Sequence, residues 1–141
     1  MREHRRKVNA KLWDFGNKID DLDREIEYRK ALIRQLDNPL KAVNCDGMPS
    51  GGKVSDPTLE AVQLMERYQA EINKLVRIKE RTYNEFEQYI EPLKHQHKTV
   101  LRLRYIECLR PQQIATEMSY SEDHVKTMLR KSQDQLYDNT F

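Results

Sequence analysis

The chain has 141 residues, of which 34% are charged and only four are glycine. This length disfavours a barrel or a doubly wound sheet, and the composition is typical of long solvent-exposed helices, so the expected fold class is all-α. The net charge is only +2, but basic side chains are concentrated in residues 1–11 and 92–118. We therefore expect a polyanionic partner to bind near the ends of the chain.

A coiled-coil pattern predicts a first helix over about residues 5–37, because its apolar positions recur at three-residue and four-residue steps broken only at Arg29. These positions are Leu12, Phe15, Ile19, Leu22, Ile26, Ile33 and Leu36. Asn38–Pro39 predicts the end of this helix, since a proline disfavours helical geometry in the residue before it. Residues 38–56, rich in glycine and proline, are predicted to form a long loop, either a plain surface linker or a functional segment.

A second helix is predicted to begin at Asp56–Pro57, where an aspartate cap precedes a proline at the first helical position. Its apolar positions are Ala61, Met65, Tyr68, Ile72, Leu75, Thr82, Phe86, Tyr89 and Leu93. The two apolar stripes predict a long antiparallel helical hairpin over residues 1–91, serving oligomerisation or partner binding. The same stripes could pair between two chains, and a four-helix dimer would combine both arrangements.

The remaining residues, 92–141, are predicted to form a small C-terminal domain of three helices. The first covers His97–Leu109, the second covers 111–118, and the third begins at Glu122 after the turn 119–121. The inner side of the first helix carries Val100, Leu101, Tyr105, Ile106 and Cys108.

The last two of these helices form a helix-turn-helix pattern, because a three-residue turn joins two short helices that share apolar positions. The shared core positions are Ile114, Met118, Val125 and Leu129, and Ser121 is the expected cap of the third helix. A helical wheel centred on Val125 places Leu129, Ser132 and Leu136 inward. The opposite face of this helix is the one that a DNA major groove would meet.

Polar and basic side chains on that outer face are candidate DNA contacts. Arginine and lysine pair with guanine edges, while hydroxyl and amide groups hold phosphates. We assign base contacts to Asp123, His124, Thr127 and Arg130, and backbone contacts to Gln112, Gln113, Lys126 and Lys131. The alternative is that this face is only the solvated side of an amphipathic helix.

Three runs of this region resemble the fourth region of bacterial sigma factors. They are Val100-Leu101-Arg102-Leu103-Arg104-Tyr105, Gln113-Ile114-Ala115, and Ser121-Glu122-Asp123-His124-Val125-Lys126-Thr127-Met128-Leu129. Together with the charged N-terminal helix and the Ser55-Asp56-Pro57-Thr58 run, the whole chain resembles small phage regulators of the RinA and ArpU kind. The resemblance implies a phage transcription factor that activates late genes in the cytoplasm of a bacterial host. Arg110 and Ser119 depart from the pattern, which usually has a serine or threonine cap and a turn glycine at these places.

Two other functions stay open. The sigma-like domain could bind host RNA polymerase without reading DNA, or the chain could be a small DNA-packaging (terminase) subunit. We expect a homo-oligomer whose main partner is double-stranded DNA, with RNA polymerase as a further candidate. The basic residues near the N-terminus are either a phosphate-seeking arm or a disordered end: Arg2, Arg5, Arg6 and Lys7.

Catalysis and cofactor binding are not expected. His95 and His97 have no nearby third metal ligand in the sequence, and Cys45 and Cys108 are too far apart for a CxxC pair. No catalytic triad or phosphate-binding loop is present at a useful spacing. No apolar run approaches the roughly 18 residues of a membrane span, so we expect no membrane partner.

Overall fold

The computed structural model describes the backbone of residues 2–46 and 57–140, with the side chains of residues 2–37 and 58–139. Five α-helices and one π-helical segment follow one another. They are α1 (Arg2–Asp46), α2 (Pro57–Ile90), α3 (His95–Leu101), the π-helical segment (Arg102–Ile106), α4 (Pro111–Met118) and α5 (Glu122–Thr140). These ranges contain no strand, which confirms the all-α prediction. No helix in them is long and apolar enough to cross a membrane.

The chain divides into two compact units. The terminal unit comprises Met1–Asp21 and Glu80–Phe141, and the hairpin unit comprises Leu22–Lys79. Residues 92–141 thus share a unit with one end of each long helix.

Within the hairpin unit, the long N-terminal helix packs against α2 in antiparallel orientation. Lys79 Nζ lies 2.6 Å from Asp23 Oδ1, and Arg29 Nε lies 2.9 Å from Glu71 Oε2. Ile26 lies between Asp23 and Arg29 on α1 and is only 5% exposed. The predicted pairing of the two apolar stripes is therefore confirmed in this unit.

The terminal unit has a continuous apolar core. Its buried members are Val8, Leu12, Phe86, Ile90, Leu93, Val100, Leu101, Tyr105, Ile114, Ala115, Val125, Met128, Leu129 and Leu136. The ring of Phe15 contacts those of Phe86 and Tyr89, at centroid distances of 5.8 and 5.9 Å. One end of each long helix thus contributes to the core that supports α5.

The predicted end of the first helix at Asn38–Pro39 is wrong, because α1 continues to Asp46. Pro39 has no N–H to donate to the carbonyl of Gln35, but the residues that follow it include the helix formers Leu40 and Ala42. The first nine residues of the predicted loop 38–56 are therefore helical. The rest of that loop, with the predicted cap Asp56, lies outside the described residues.

The N-terminal basic residues lie in the first turns of α1, so the expectation of a disordered end is wrong, whereas a phosphate contact by these residues stays a prediction. The Arg5 guanidinium donates two hydrogen bonds to the Asp134 carboxylate, at 2.9 and 3.0 Å. The His4 ring stacks on Tyr137 with a centroid distance of 4.0 Å. These contacts to α5 order the N-terminus.

The helix predicted over His97–Leu109 has other bounds in the structure. The observed helix begins at His95, becomes π-helical at Arg102 and ends at Ile106. At its end Glu107 N–H donates to the Arg102 carbonyl at 3.1 Å. The wider π turn changes the helical period. Cys108, predicted on the inner side, is instead exposed and has a left-handed φ of 59°.

A close approach between α1 and the π-helical segment requires a glycine. A Cβ added to Gly16 would lie 3.1 Å from the carbonyl carbon of Tyr105 and nearer still to its oxygen. The neighbouring Trp13 ring packs edge-on against the Tyr105 ring, with centroids 4.8 Å apart. Gly16 therefore lets α1 lie directly against the backbone of this segment.

Candidate nucleic-acid interface

The start of α4 lacks the usual serine or threonine cap but is stabilised in another way. Gln113 Oε1 accepts a hydrogen bond from the backbone N–H of Arg110 at 2.8 Å. Pro111 occupies the first helical position, where its missing N–H is harmless. The helix therefore begins and ends where the sequence predicts, at Pro111 and Met118.

The connection between α4 and α5 is a tight turn through Ser119. This residue adopts a left-handed conformation with φ 59°, a geometry that favours glycine. Tyr120 N–H donates to the Ala115 carbonyl at 2.9 Å, which closes the end of α4. Ser121 Oγ then accepts from His124 N–H at 3.1 Å, so the predicted cap of α5 is confirmed.

One face of α5 is buried along most of its length. Val125, Leu129, Ser132 and Leu136 are all buried, which confirms the helical wheel predicted from the sequence. Ser132 satisfies its hydroxyl by donating to the Met128 carbonyl at 2.7 Å. The orientation of α5 is therefore fixed by its apolar side, and the opposite side faces outward in the N-terminal half of the helix, residues 122–131.

The predicted contact residues lie on the outward side of α4 and α5. Thr127 is half-buried. The other seven are exposed, namely Gln112, Gln113, Asp123, His124, Lys126, Arg130 and Lys131. Lys126 Nζ pairs with Glu122 Oε1 at 3.1 Å, which offsets part of the positive charge. Arg130 Nη2 donates to Thr127 Oγ1 at 3.4 Å. The face therefore offers hydrogen-bond donors for phosphates, and both donors and acceptors for base edges.

The C-terminal half of α5 is attached to the rest of the terminal unit by a buried polar network. Tyr105 Oη donates to Asn9 Oδ1 at 2.6 Å and accepts from Gln133 Nε2 at 2.9 Å. Burial raises the pKa of the Tyr105 phenol, so it keeps its proton. With the Arg5 pair to Asp134, this network joins the C-terminal half of α5 to α1 and to the π-helical segment.

Sequence reasoning missed one side chain beside this face. His97 on α3 is half-buried, and its Nδ1 is buried without a hydrogen-bond partner in the described part of the chain. Burial lowers the pKa of this imidazole, and the charges of Lys94 and Lys131 lower it further. The sequence shows His97 only as part of a weak metal-ligand pattern, because nothing in it reveals how α3 packs against α5.

No protein-family model, curated protein or solved structure gives a significant match to this chain. The resemblance to sigma factors and phage regulators therefore depends on the residues quoted from the sequence.

Proposed function

We propose that the protein binds double-stranded DNA through α4 and α5, used as a helix-turn-helix, and regulates transcription. The observation that carries this proposal is the two-sided character of α5. Its inner face is fixed in the core, whereas Asp123, Arg130 and Lys131 are exposed on the other side. A helix held in this way presents its outward side chains to a major groove without having to fold or reorient on binding.

The roles within this face follow from the chemistry of each group. Arg130 is the best candidate for reading a guanine edge, because a guanidinium can donate two hydrogen bonds to one base. Lys131 contacts a phosphate, which adds affinity without sequence preference. The protein thus acts by binding and not by catalysis. The family resemblance supports a late-gene activator from a phage.

We also propose that the protein is a homo-oligomer assembled through the hairpin unit. A single helix-turn-helix covers one half-site, and dimers gain affinity by binding two half-sites in register. In the hairpin unit Leu59 is 55% exposed and Val62 is 38% exposed. Burying such apolar groups against a second copy would stabilise an oligomer.

The test is duplex binding by fluorescence anisotropy over a series of salt concentrations. Arg130→Ala should weaken binding to the preferred site by about 1–3 kcal/mol and relax discrimination there. Lys131→Ala should weaken binding to all duplexes about equally and lower the salt slope by roughly one. Lys74→Ala removes an exposed lysine of the hairpin unit and is the matched control, with unchanged binding expected.

The outcome that overturns the DNA-binding site is equal affinity of parent, Arg130→Ala and Lys131→Ala across the whole salt range. If those variants then impair transcription by the host polymerase, the outward face binds a protein partner instead.

A further inference from the structure

The first two turns of α1 cross α5 just beyond the predicted DNA-contacting face. Arg5 of α1 pairs with Asp134 of α5 at 2.9 Å, and His4 stacks on Tyr137 with ring centroids 4.0 Å apart. Asp134 stands four positions after Arg130, so these two residues lie on the same stripe of α5. The crossing therefore begins about one helical turn from the arginine assigned to a base contact.

The direction of the crossing shows which side of α1 is nearer to Arg130. Successive residues of a helix lie about 100° apart, so Arg5 and His4 are on different sides of α1. Helix α5 reaches the Arg5 side at Asp134 and the His4 side three positions later, at Tyr137. The preceding part of α5, which carries Arg130, therefore extends away from the Arg5 side of α1.

A chain of hydrogen bonds agrees with this direction. Asn9 lies one turn after Arg5 on α1 and accepts a hydrogen bond from Tyr105 Oη at 2.6 Å. The same oxygen accepts from Gln133 Nε2 at 2.9 Å, and Gln133 precedes Asp134 on α5. The Arg5 side of α1 is thus joined to the part of α5 that leads back towards its N-terminal half.

Two exposed arginines lie on this same side of α1. Arg2 lies about 60° and Arg6 about 100° around the helix from Arg5, both in the direction away from His4. Neither has an ion-pair partner among the residues whose side chains are described. Lys7 is exposed as well, but it lies about 60° beyond His4, on the other side of the helix.

We propose that Arg2 and Arg6 bind backbone phosphates of duplex DNA next to the site that α4 and α5 contact. This inference rests on the proposed function, because it requires a duplex on the outward face of α5. Such a duplex continues past that face with a phosphate about every 3.4 Å along each strand. A guanidinium binds phosphate oxygens with paired hydrogen bonds. Arg5 is not part of the site, because both of its hydrogen bonds go to Asp134.

The expected effect is on affinity for every duplex and on its salt dependence. A phosphate contact releases condensed counterions, and losing one contact lowers the salt slope by roughly 0.9. The ratio of parent to variant affinity should therefore increase about threefold between 200 mM and 50 mM salt for Arg2→Ala or Arg6→Ala. For the double variant the increase should be about tenfold.

The test measures binding of the full chain to a mixed-sequence duplex by fluorescence anisotropy over this salt range. Lys7→Ala is the matched control, because it removes one exposed positive charge from the same turn of α1 but from its other side. The ratio of parent to Lys7→Ala affinity should stay constant. An effect of Lys7→Ala as large as that of Arg6→Ala would overturn the assignment of the contact to the Arg5 side.

Hydroxyl-radical footprinting on a preferred site locates the contact on the DNA. The Arg2→Ala/Arg6→Ala double variant should lose protection of sugars that flank the site and keep the protection within it. If the double variant has the salt slope and footprint of the parent while Lys131→Ala weakens binding, this proposal is wrong and the DNA-binding face stands. If neither variant changes affinity for any duplex, the proposed function itself is wrong.

Discussion

Replacing Gly16 by alanine tests how the terminal unit is packed. The added methyl group would lie 3.1 Å from the Tyr105 carbonyl carbon and closer to its oxygen, inside the normal contact distance of about 3.5 Å. The position of the methyl group is fixed by the backbone of α1, and the Tyr105 carbonyl belongs to the backbone of the π-helical segment. Neither group can therefore rotate away. The contact therefore has to be relieved by moving two helical segments apart.

The change in the free energy of unfolding on Gly16→Ala is the difference between two effects of opposite sign. Alanine is favoured over glycine inside a helix by about 1 kcal/mol. Overpacking of a tight interior costs about 1–3 kcal/mol, and the upper end applies where backbone must move. We therefore expect Gly16→Ala to lower the free energy of unfolding by about 1–2 kcal/mol, despite its better helix propensity.

Urea denaturation followed by circular dichroism measures this change. Asn17→Ala is the matched control, because Asn17 is the exposed neighbour in the same helix and gains helix propensity without a clash. The control should be as stable as the parent or slightly more so. A Gly16→Ala protein at least as stable as Asn17→Ala would refute the close approach between α1 and the π-helical segment.

Three further predictions concern the hairpin, an ion pair and assembly. Ile26→Asp should lower the free energy of unfolding by about 3–5 kcal/mol, because the side chain is buried between the two long helices, whereas Tyr28→Asp, at a position 63% exposed, should have little effect. The Arg102 guanidinium, 2.6 Å from Glu87, lowers the pKa of that carboxyl below its ordinary 4.5. The pair therefore stabilises the fold at pH values above 4.5, and this stabilisation disappears as the pH falls through the lowered pKa. Glu87→Gln should lower the free energy of unfolding by about 1 kcal/mol or less at neutral pH, and this difference from the parent should vanish in acid. Light scattering should find a dimer or larger species, and a monomer both free and on DNA would contradict assembly through the hairpin unit.

The features that could be predicted from the sequence are those fixed by local interactions. The bounds of α4 and the start of α5 depend on Pro111 and on the Ser121 cap, which act within one turn of chain. The buried side of α5 follows from positions spaced by three and four residues, Val125, Leu129, Ser132 and Leu136, which are all buried in the structure. Six of the eight predicted contact residues came from the same wheel, and the other two, Gln112 and Gln113, were assigned on the preceding helix. The structure places all eight on α4 and α5, away from the core.

What the sequence could not predict depends on contacts between distant segments. The change from α to π geometry at Arg102 has no local signal, and the need for Gly16 is evident only when Tyr105 lies beside it. His97 was considered only as a metal ligand, since its neighbours His124 and Lys131 are far away in sequence. The predicted end of α1 at Asn38–Pro39 was wrong because the rule that proline breaks a helix does not take account of the residues that continue the helix.

The central claim, that the outward face of α4 and α5 meets DNA, is tested most directly by mapping amide chemical shifts during a titration with duplex DNA. The claim predicts perturbations centred on residues 112–113 and 123–131, with those in the hairpin unit, residues 22–37 and 58–79, left unchanged. Perturbations confined to the hairpin unit, or none at saturating DNA, would contradict it.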